Sequence, residues 1–227
     1  MSRLFITGDK HGSIELKYLS NKNFPQAKEL TKDDVVLICG DTGCIWDTSK
    51  ETKYWDDWAE DRPFTIATIF GNHENYDAIR AIPTEEWNGA KVHKVRPHIM
   101  YIENGEIFTF NNKTFFCMGG ASSIDKWRRT EGKSWWASEI PSKEEMEHAV
   151  KNLEKYNNKV NYIITHTAPN FILDKFYYEH DDVTNFLSHY VQTTVQFDEW
   201  YCGHFHVNRN YDNFHMLYHD IKEIYIN

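Results

Sequence analysis

Five short apolar runs recur along the chain, and each ends in glycine, aspartate, asparagine or histidine: "LFITGD" (4–9), "VVLICGD" (35–41), "FTIATIFGNHE" (64–74), "VNYIITH" (160–166) and "EWYCGHFH" (199–206). Their length and their β-branched and aromatic content mark them as strands. Apolar character that is continuous rather than alternating requires cover on both faces, as in layered α/β folds. Between residues 98 and 120, "IMYIENGEIFTFNNKTFFCMGG" reads as further strands joined by polar turns at "ENGE" and "NNK", whose Asn and Gly tolerate positive φ. The tail "HMLYHDIKEIYIN" offers one or two closing strands. One helix is expected over "KEEMEHAVKNLEKY". Pro141 and Ser142 precede it, Ser142 and Glu145 make an S-x-x-E capping box, and Met146, Val150 and Leu153 fall on one core-facing side.

The 227 residues suit one domain over 1–227, with neither repeat nor linker. No run approaches the roughly 18 apolar residues of a membrane helix. The opening "MSRLFITGD" enters a strand without an apolar signal core, which points to the cytoplasm. A net charge of −9 and a pI near 5.7 disfavour broad nucleic-acid binding, although bound divalent cations would reverse the sign locally. Cys39, Cys44, Cys117 and Cys202 lack CxxC spacing and lie in or beside apolar runs, so they read as buried free thiols rather than disulfides or a structural zinc site. The polar stretch 119–141 carries Trp127, Trp135 and Trp136 without a clear period, and is expected to be a long ordered loop serving as a rim or lid.

The residues that follow the runs are Asp9 and His11, Asp41, Asn72 and His73, His166, and His204 and His206. In open α/β sheets the carboxyl ends of the strands are where ligands bind, so residues far apart in sequence can converge there. Carboxylate and imidazole together suit Mn, Fe or Zn better than Mg or Ca. Two aspartates, one asparagine and four histidines are too many ligands for one ion, and a carboxylate can bridge two, so two divalent metals are expected. The other seven histidines read as structural or surface residues.

This ordered set resembles the calcineurin-like metallophosphoesterases, whose pattern is D-x-H, then GD, then GNH followed by D or E, then a histidine, then GHxH. The matching segments are "GDKHG", "GDTGC", "GNHE", "ITHTAP" and "GHFH", spanning residues 9 to 206. The resemblance implies an α/β fold of αββα type, a two-sheet sandwich flanked by helices in four layers. It implies that Asp9, His11 and His206 bind one metal, that Asn72, His166 and His204 bind the other, and that Asp41 bridges them. His73 resembles the family's catalytic histidine, which binds no metal and sits near the leaving group.

The implied activity is dinuclear-metal-dependent hydrolysis of a small phosphorylated mono- or diester, nucleotides included, with Mn²⁺ the favoured ion. Glu74 and nearby carboxylates are expected to orient imidazole N–H groups. Arg128 and Arg129 are either phosphate-binding groups or a solvated surface pair. One departure stands out: "GDTGCIWD" places Cys44 at the second acidic position of the GDxxD form and has no arginine after it. That weakens a serine/threonine protein phosphatase reading and makes Cys44 a structural thiol beneath the site. The acidic charge weighs against a nuclease, and the complete ligand set weighs against a catalytically silent scaffold.

Overall fold

Leu4 and Ile6 face one side of the first strand and Phe5 the other, and all three are buried, so apolar layers lie on both sides of it. The computed structural model describes residues 2–225; residues 226 and 227 of the expected closing strand lie outside them. In chain order the strands are β1 (Leu4–Thr7), β2 (Val35–Ile38), β3 (Thr65–Ile69), β4 (Thr84–Trp87), β5 (Ala90–Arg96), β6 (Ile99–Ile102), β7 (Ile107–Phe110), β8 (Lys113–Met118), β9 (Tyr162–Thr165), β10 (Glu199–Cys202), β11 (Arg209–Tyr211), β12 (Phe214–Met216) and β13 (Ile221–Ile224). They build a seven-stranded sheet, β13-β1-β2-β3-β6-β5-β4, and a six-stranded sheet, β11-β12-β10-β9-β8-β7.

Within the first sheet β1, β2, β3 and β6 run parallel. In the second, β8, β9, β10 and β12 run parallel. Antiparallel strands occupy the edges. The parallel centres deliver the carboxyl ends of β1, β2, β3, β9 and β10 to the rim where the candidate residues stand.

Leu4, Leu37, Ile69 and Ile102 of one sheet meet Phe108, Phe115, Cys117 and Ile164 of the other in the central core. Phe5, Val36 and Ile66 turn outward onto Leu16, Phe24, Ala59 of α1 (Lys50–Glu60) and Ile79 of α2 (Tyr76–Arg80). Phe116, Ile163 and Trp200 turn outward onto α3 (Lys143–Lys155), α4 (Asn170–Phe176) and α5 (Asp182–Phe186). The result is the expected αββα sandwich. Among the described residues no helix is long and apolar enough to cross a membrane.

The capping box on α3 forms as read, with Ser142 accepting from Glu145 N–H and Glu145 reaching back. The buried face is Ala149, Asn152 and Leu153, with Met146 packed partly against it and Val150 only half-buried. "NNK" is a hairpin turn between β7 and β8 with Asn111 and Asn112 at positive φ. "ENGE" instead carries the chain from one sheet to the other. The features not anticipated include the β4–β5 edge hairpin, turned at Asn88 and Gly89, strand β11, the helices α2, α4 and α5, and α1, whose N-cap Ser49 accepts from Thr52 N–H.

The 119–141 stretch is irregular apart from 3-10 turns at Lys126–Arg128 and Ala137–Glu139. Trp136 is packed down and donates Nε1–H to Asp77, whereas Trp127 is 79% exposed. All four cysteines are free and buried.

Candidate metal centre

The backbone first brings the strand ends together. Lys10 and His11 N–H both donate to the Asp41 carbonyl, at 2.9 and 2.7 Å, which docks the turn after β1 onto the turn after β2. His73 N–H donates to Asp41 Oδ1 at 2.7 Å, joining the turn after β3. His204 N–H donates to the Asp9 carboxylate at 2.9 and 3.0 Å, joining the turn after β10. His11, Asp41, His204 and His206 all have positive φ, between 36° and 68°. Non-glycine residues held there carry backbone strain, and such strain clusters at functional sites.

The glycines of the motifs leave room for these carboxylates. A Cβ on Gly71 would lie 2.0 Å from Asp41 Oδ1, and one on Gly203 would lie 2.2 Å from Asp9 Oδ1. Each GN or GH motif therefore owes its glycine to an aspartate arriving from a different strand.

The side chains separate into two groups that share Asp41. Asp9, His11 and His206 offer ligand atoms within 4.8 Å of one another, with His206 Nε2 3.0 Å from Asp9 Oδ2. His11 Nε2 lies 3.2 Å from Asp41 Oδ2. On the other side, Asn72 Oδ1 is 2.9 Å from His166 Nε2 and 3.0 Å from His204 Nδ1, and His166 Nε2 is 3.5 Å from Asp41 Oδ1. Ligands about 2.1 Å from one ion and at right angles lie about 3 Å apart.

Hydrogen bonding outside the cluster decides what its inner atoms carry. His166 Nδ1 is 2.7 Å from the Cys39 carbonyl, an acceptor only, so Nδ1 holds the proton and Nε2 of the neutral ring is bare. Asn72 Nδ2 donates to Ser123 Oγ at 3.0 Å, and Ser123 Oγ donates to Glu139 Oε2 at 2.6 Å, so the amide oxygen must point inward. His11 Nδ1 faces Glu15 Oε2 at 2.9 Å, which leaves its Nε2 bare toward Asp41. With both rings neutral, lone pairs converge from both sides of Asp41, the arrangement a pair of cations satisfies.

The local field agrees. Burial disfavours charge on Asp41, yet His166, His11 and His73 hold it below the usual carboxylate range. Asp9 is likewise held down, against burial, by His206, His166 and His11. His11 is pushed up to about 9 although burial opposes it, because Asp41, Asp9 and Glu15 draw positive charge to that spot; without a metal this charge is a proton on Nε2, which a cation between His11 and Asp41 would displace. His204 falls to about 3 through burial and the neighbouring His166.

His73 lies at the mouth, within 4.8 Å of the ligand atoms of His11 and Asp41. Burial lowers its pKa, Asp41 opposes, and Arg129 adds to the lowering. Arg129 is 2.8 Å from His73 Nδ1 and is held by Asp125, with Nε 2.8 Å from Oδ1. Arg128 lies over the exposed Trp127 ring instead. Both arginines, with His73, Asp41 and His204, line a cleft of about 300 Å³.

Glu74 departs from expectation. It touches no imidazole and accepts from Thr42 N–H, Gly43 N–H and Tyr101 OH. The buried turn after β2 needed an acceptor, and Glu74 supplies it; burial and Asp41 push it up to about 8. Cys44 sits in the apolar layer over the outer face of the first sheet. Sequence reasoning missed Glu15, four residues after His11, and it missed Ser123 and Glu139, whose approach to Asn72 leaves no local signal. It also missed Lys10, fully buried, whose Nζ donates to the carbonyls of Gly8, Asp9 and Tyr218.

The model of the family described as calcineurin-like phosphoesterase matches residues 2–208. No curated protein matches the chain.

Proposed function

The chain belongs to the calcineurin-like phosphoesterases, and on that premise we propose that it hydrolyses a small phosphorylated substrate at two divalent cations held by Asp9, His11, His206, Asp41, Asn72, His166 and His204. The observation that carries this reading is the convergence of bare lone pairs on both oxygens of Asp41. When bound at these residues, two such cations would lower the pKa of a water toward neutrality and offset phosphoryl charge. Mn²⁺ is the favoured ion for activity, with Fe and Zn compatible with the same donors.

The chain's own residues divide the remaining work. Asp9, His11 and His206 form one half-site and Asn72, His166 and His204 the other. Glu15 and Ser123 fix the ring and amide orientations that each half-site needs. Arg129, anchored by Asp125 and the Ser134 carbonyl beside His73, lends its positive charge to the phosphoryl group. His73 would deliver a proton to the departing oxygen, a role worth about 10² to 10⁴-fold, once the negative charge of the bound phosphoryl group offsets the burial and the Arg129 charge that lower its pKa. The 119–141 segment carries Arg129 and Ser123, and so acts as the rim of the site. Four free buried thiols are consistent with a reducing cytoplasm.

The test strips the protein of metal, restores Mn²⁺, and follows p-nitrophenyl phosphate and bis-p-nitrophenyl phosphate. Mn²⁺-dependent release from either ester is expected, and the faster ester assigns a monoesterase or a diesterase. Silence on both, in protein shown to hold two Mn²⁺, would overturn the hydrolase reading.

A further inference from the structure

His73 borders two clefts. One is the arginine-lined cleft described above. The other, about 290 Å³, is lined by His11 and His73 together with Ile14, Trp46, Asp47, Thr52 and Trp55. It is near the small end of the range for ligand pockets and fits one ring system with or without a sugar. Ile14 is 58% exposed and the two indoles are half-buried, so flat apolar surface is already open to solvent.

The walls are preformed. Trp46 is held edge-on by Trp136 at 5.5 Å and 82°, and Trp55 by Trp58 at 5.4 Å and 62°. Asp47 Oδ1 accepts from Ser49 N–H at 2.9 Å and Thr52 Oγ1 at 2.6 Å, which ties the cleft to the first turn of α1.

Charge separates the two clefts. Among the described residues, those lining this one include no lysine or arginine, and Asp47 and Glu51 stand at its edge. The N-terminus of α1 offers little to an anion, because Ser49 already takes Thr52 N–H and Glu51 sits in the first turn. A leaving group bearing further phosphates therefore meets Asp47 and Glu51 and no guanidinium or ammonium here, while Arg129 lines the other cleft.

We infer that this cleft is the leaving-group subsite and that it takes a flat, uncharged group, an aryl alcohol or a nucleoside without additional phosphates. The inference rests on the phosphoesterase reading for its role, and on the cleft alone for its ligand chemistry.

The experiment has two arms. In Mn²⁺-loaded protein, Trp55→Ala is expected to raise KM for the p-nitrophenyl ester about tenfold while leaving KM for the corresponding methyl ester unchanged, since stacking on an indole is lost only with an aromatic group. Trp55→Phe keeps the aryl preference and guards against a simple folding defect. An equal effect on aryl and methyl esters overturns the assignment.

In the second arm, adenosine, which has no phosphate, is titrated calorimetrically into metal-free protein. Binding heat that Trp55→Ala abolishes and Trp55→Phe retains upholds the cleft, and heat that ignores Trp55 overturns it. If the wild-type protein hydrolyses no ester, the phosphoesterase reading fails by itself, and the titration still decides the ligand chemistry.

Discussion

Asn72 donates its side-chain amide to Ser123 Oγ at 3.0 Å, and this contact turns the amide oxygen toward His166 and His204. The contact reaches across 51 residues, from the end of β3 to the tryptophan-bearing segment, and Glu139 secures Ser123 in turn.

Ser123→Ala frees the amide to rotate. Mn²⁺ affinity at one of the two half-sites is expected to fall about 10 to 100-fold, with the other little changed. A Mn²⁺ titration read by electron paramagnetic resonance resolves the two steps. Equal weakening of both ions, or of neither, removes Ser123 from the positioning role.

Asp41→Asn and His73→Ala separate metal binding from proton delivery. The first is expected to lose bound metal, measured by elemental analysis after dialysis. The second is expected to retain its metal while kcat falls about 10² to 10⁴-fold. Parent-rate turnover by His73→Ala would assign the proton donor elsewhere.

Arg129 and Arg128 are neighbours with different fates. Arg129→Ala is expected to lower kcat/KM by about tenfold or more through loss of a charge-assisted contact. Arg128→Ala should stay within about twofold, because that guanidinium lies over Trp127 and not beside His73. Arg129→Lys should not restore the rate if planar pairing is what matters.

Gly71→Ala puts a methyl 2.0 Å from Asp41 Oδ1. The backbone must shift or the carboxylate must leave its place, so a loss of about 1 to 3 kcal/mol in unfolding free energy is expected together with weakened Mn²⁺ binding. Denaturant unfolding of metal-free protein measures the first effect and a metal titration the second. A stable variant with parent affinity would show that the turn has more room than the contact allows.

His93 and Glu103 form an ion pair away from the centre. Burial opposes charge on His93, but the hydrogen bonds to Glu103 and to the Ile82 carbonyl outweigh it and raise its pKa. Burial also opposes charge on Glu103, but His93 and Arg80 hold its pKa down. The histidine's contribution is full below its unfolded pKa of about 6.5 and fades as pH rises through the folded value; the glutamate's is present above about 4.3 and is lost on acidification. His93→Gln should therefore cost more stability near pH 5.5 than near pH 8, by denaturant midpoints. The opposite order would mean that the pair is not ionised in the fold.

The candidate ligands were legible because each follows an apolar strand, and parallel strands carry their carboxyl ends to one rim. The conformations of those ligands were not. Asp41 and His204 adopt positive φ while groups from other strands hold them, the His73 N–H on the Asp41 carboxylate and the Asp9 carboxylate on the His204 N–H, and no residue next to them in sequence signals it. Glu74 looked like a partner for imidazole because it follows His73 directly. The nearest unsatisfied donors proved to be Thr42 and Gly43 N–H, in the turn after β2, which sequence spacing could not bring near. The β4–β5 hairpin escaped notice because "TEEW" is exposed at a sheet edge and has no apolar face to read, although Asn88-Gly89 marked its turn. The same holds for α1, mostly polar, whose signal lay in its Ser49 cap.

Asp9 and His206, which meet at 3.0 Å, are far apart in sequence. A ribosome must therefore release everything between them before the two can meet, and a shorter nascent segment carries at most scattered donors. Discrimination among cellular ions would thus fall to the finished fold, whose strained turns set the spacing, and not to the nascent polypeptide, whose loose histidines would follow the ordinary affinity series and favour copper.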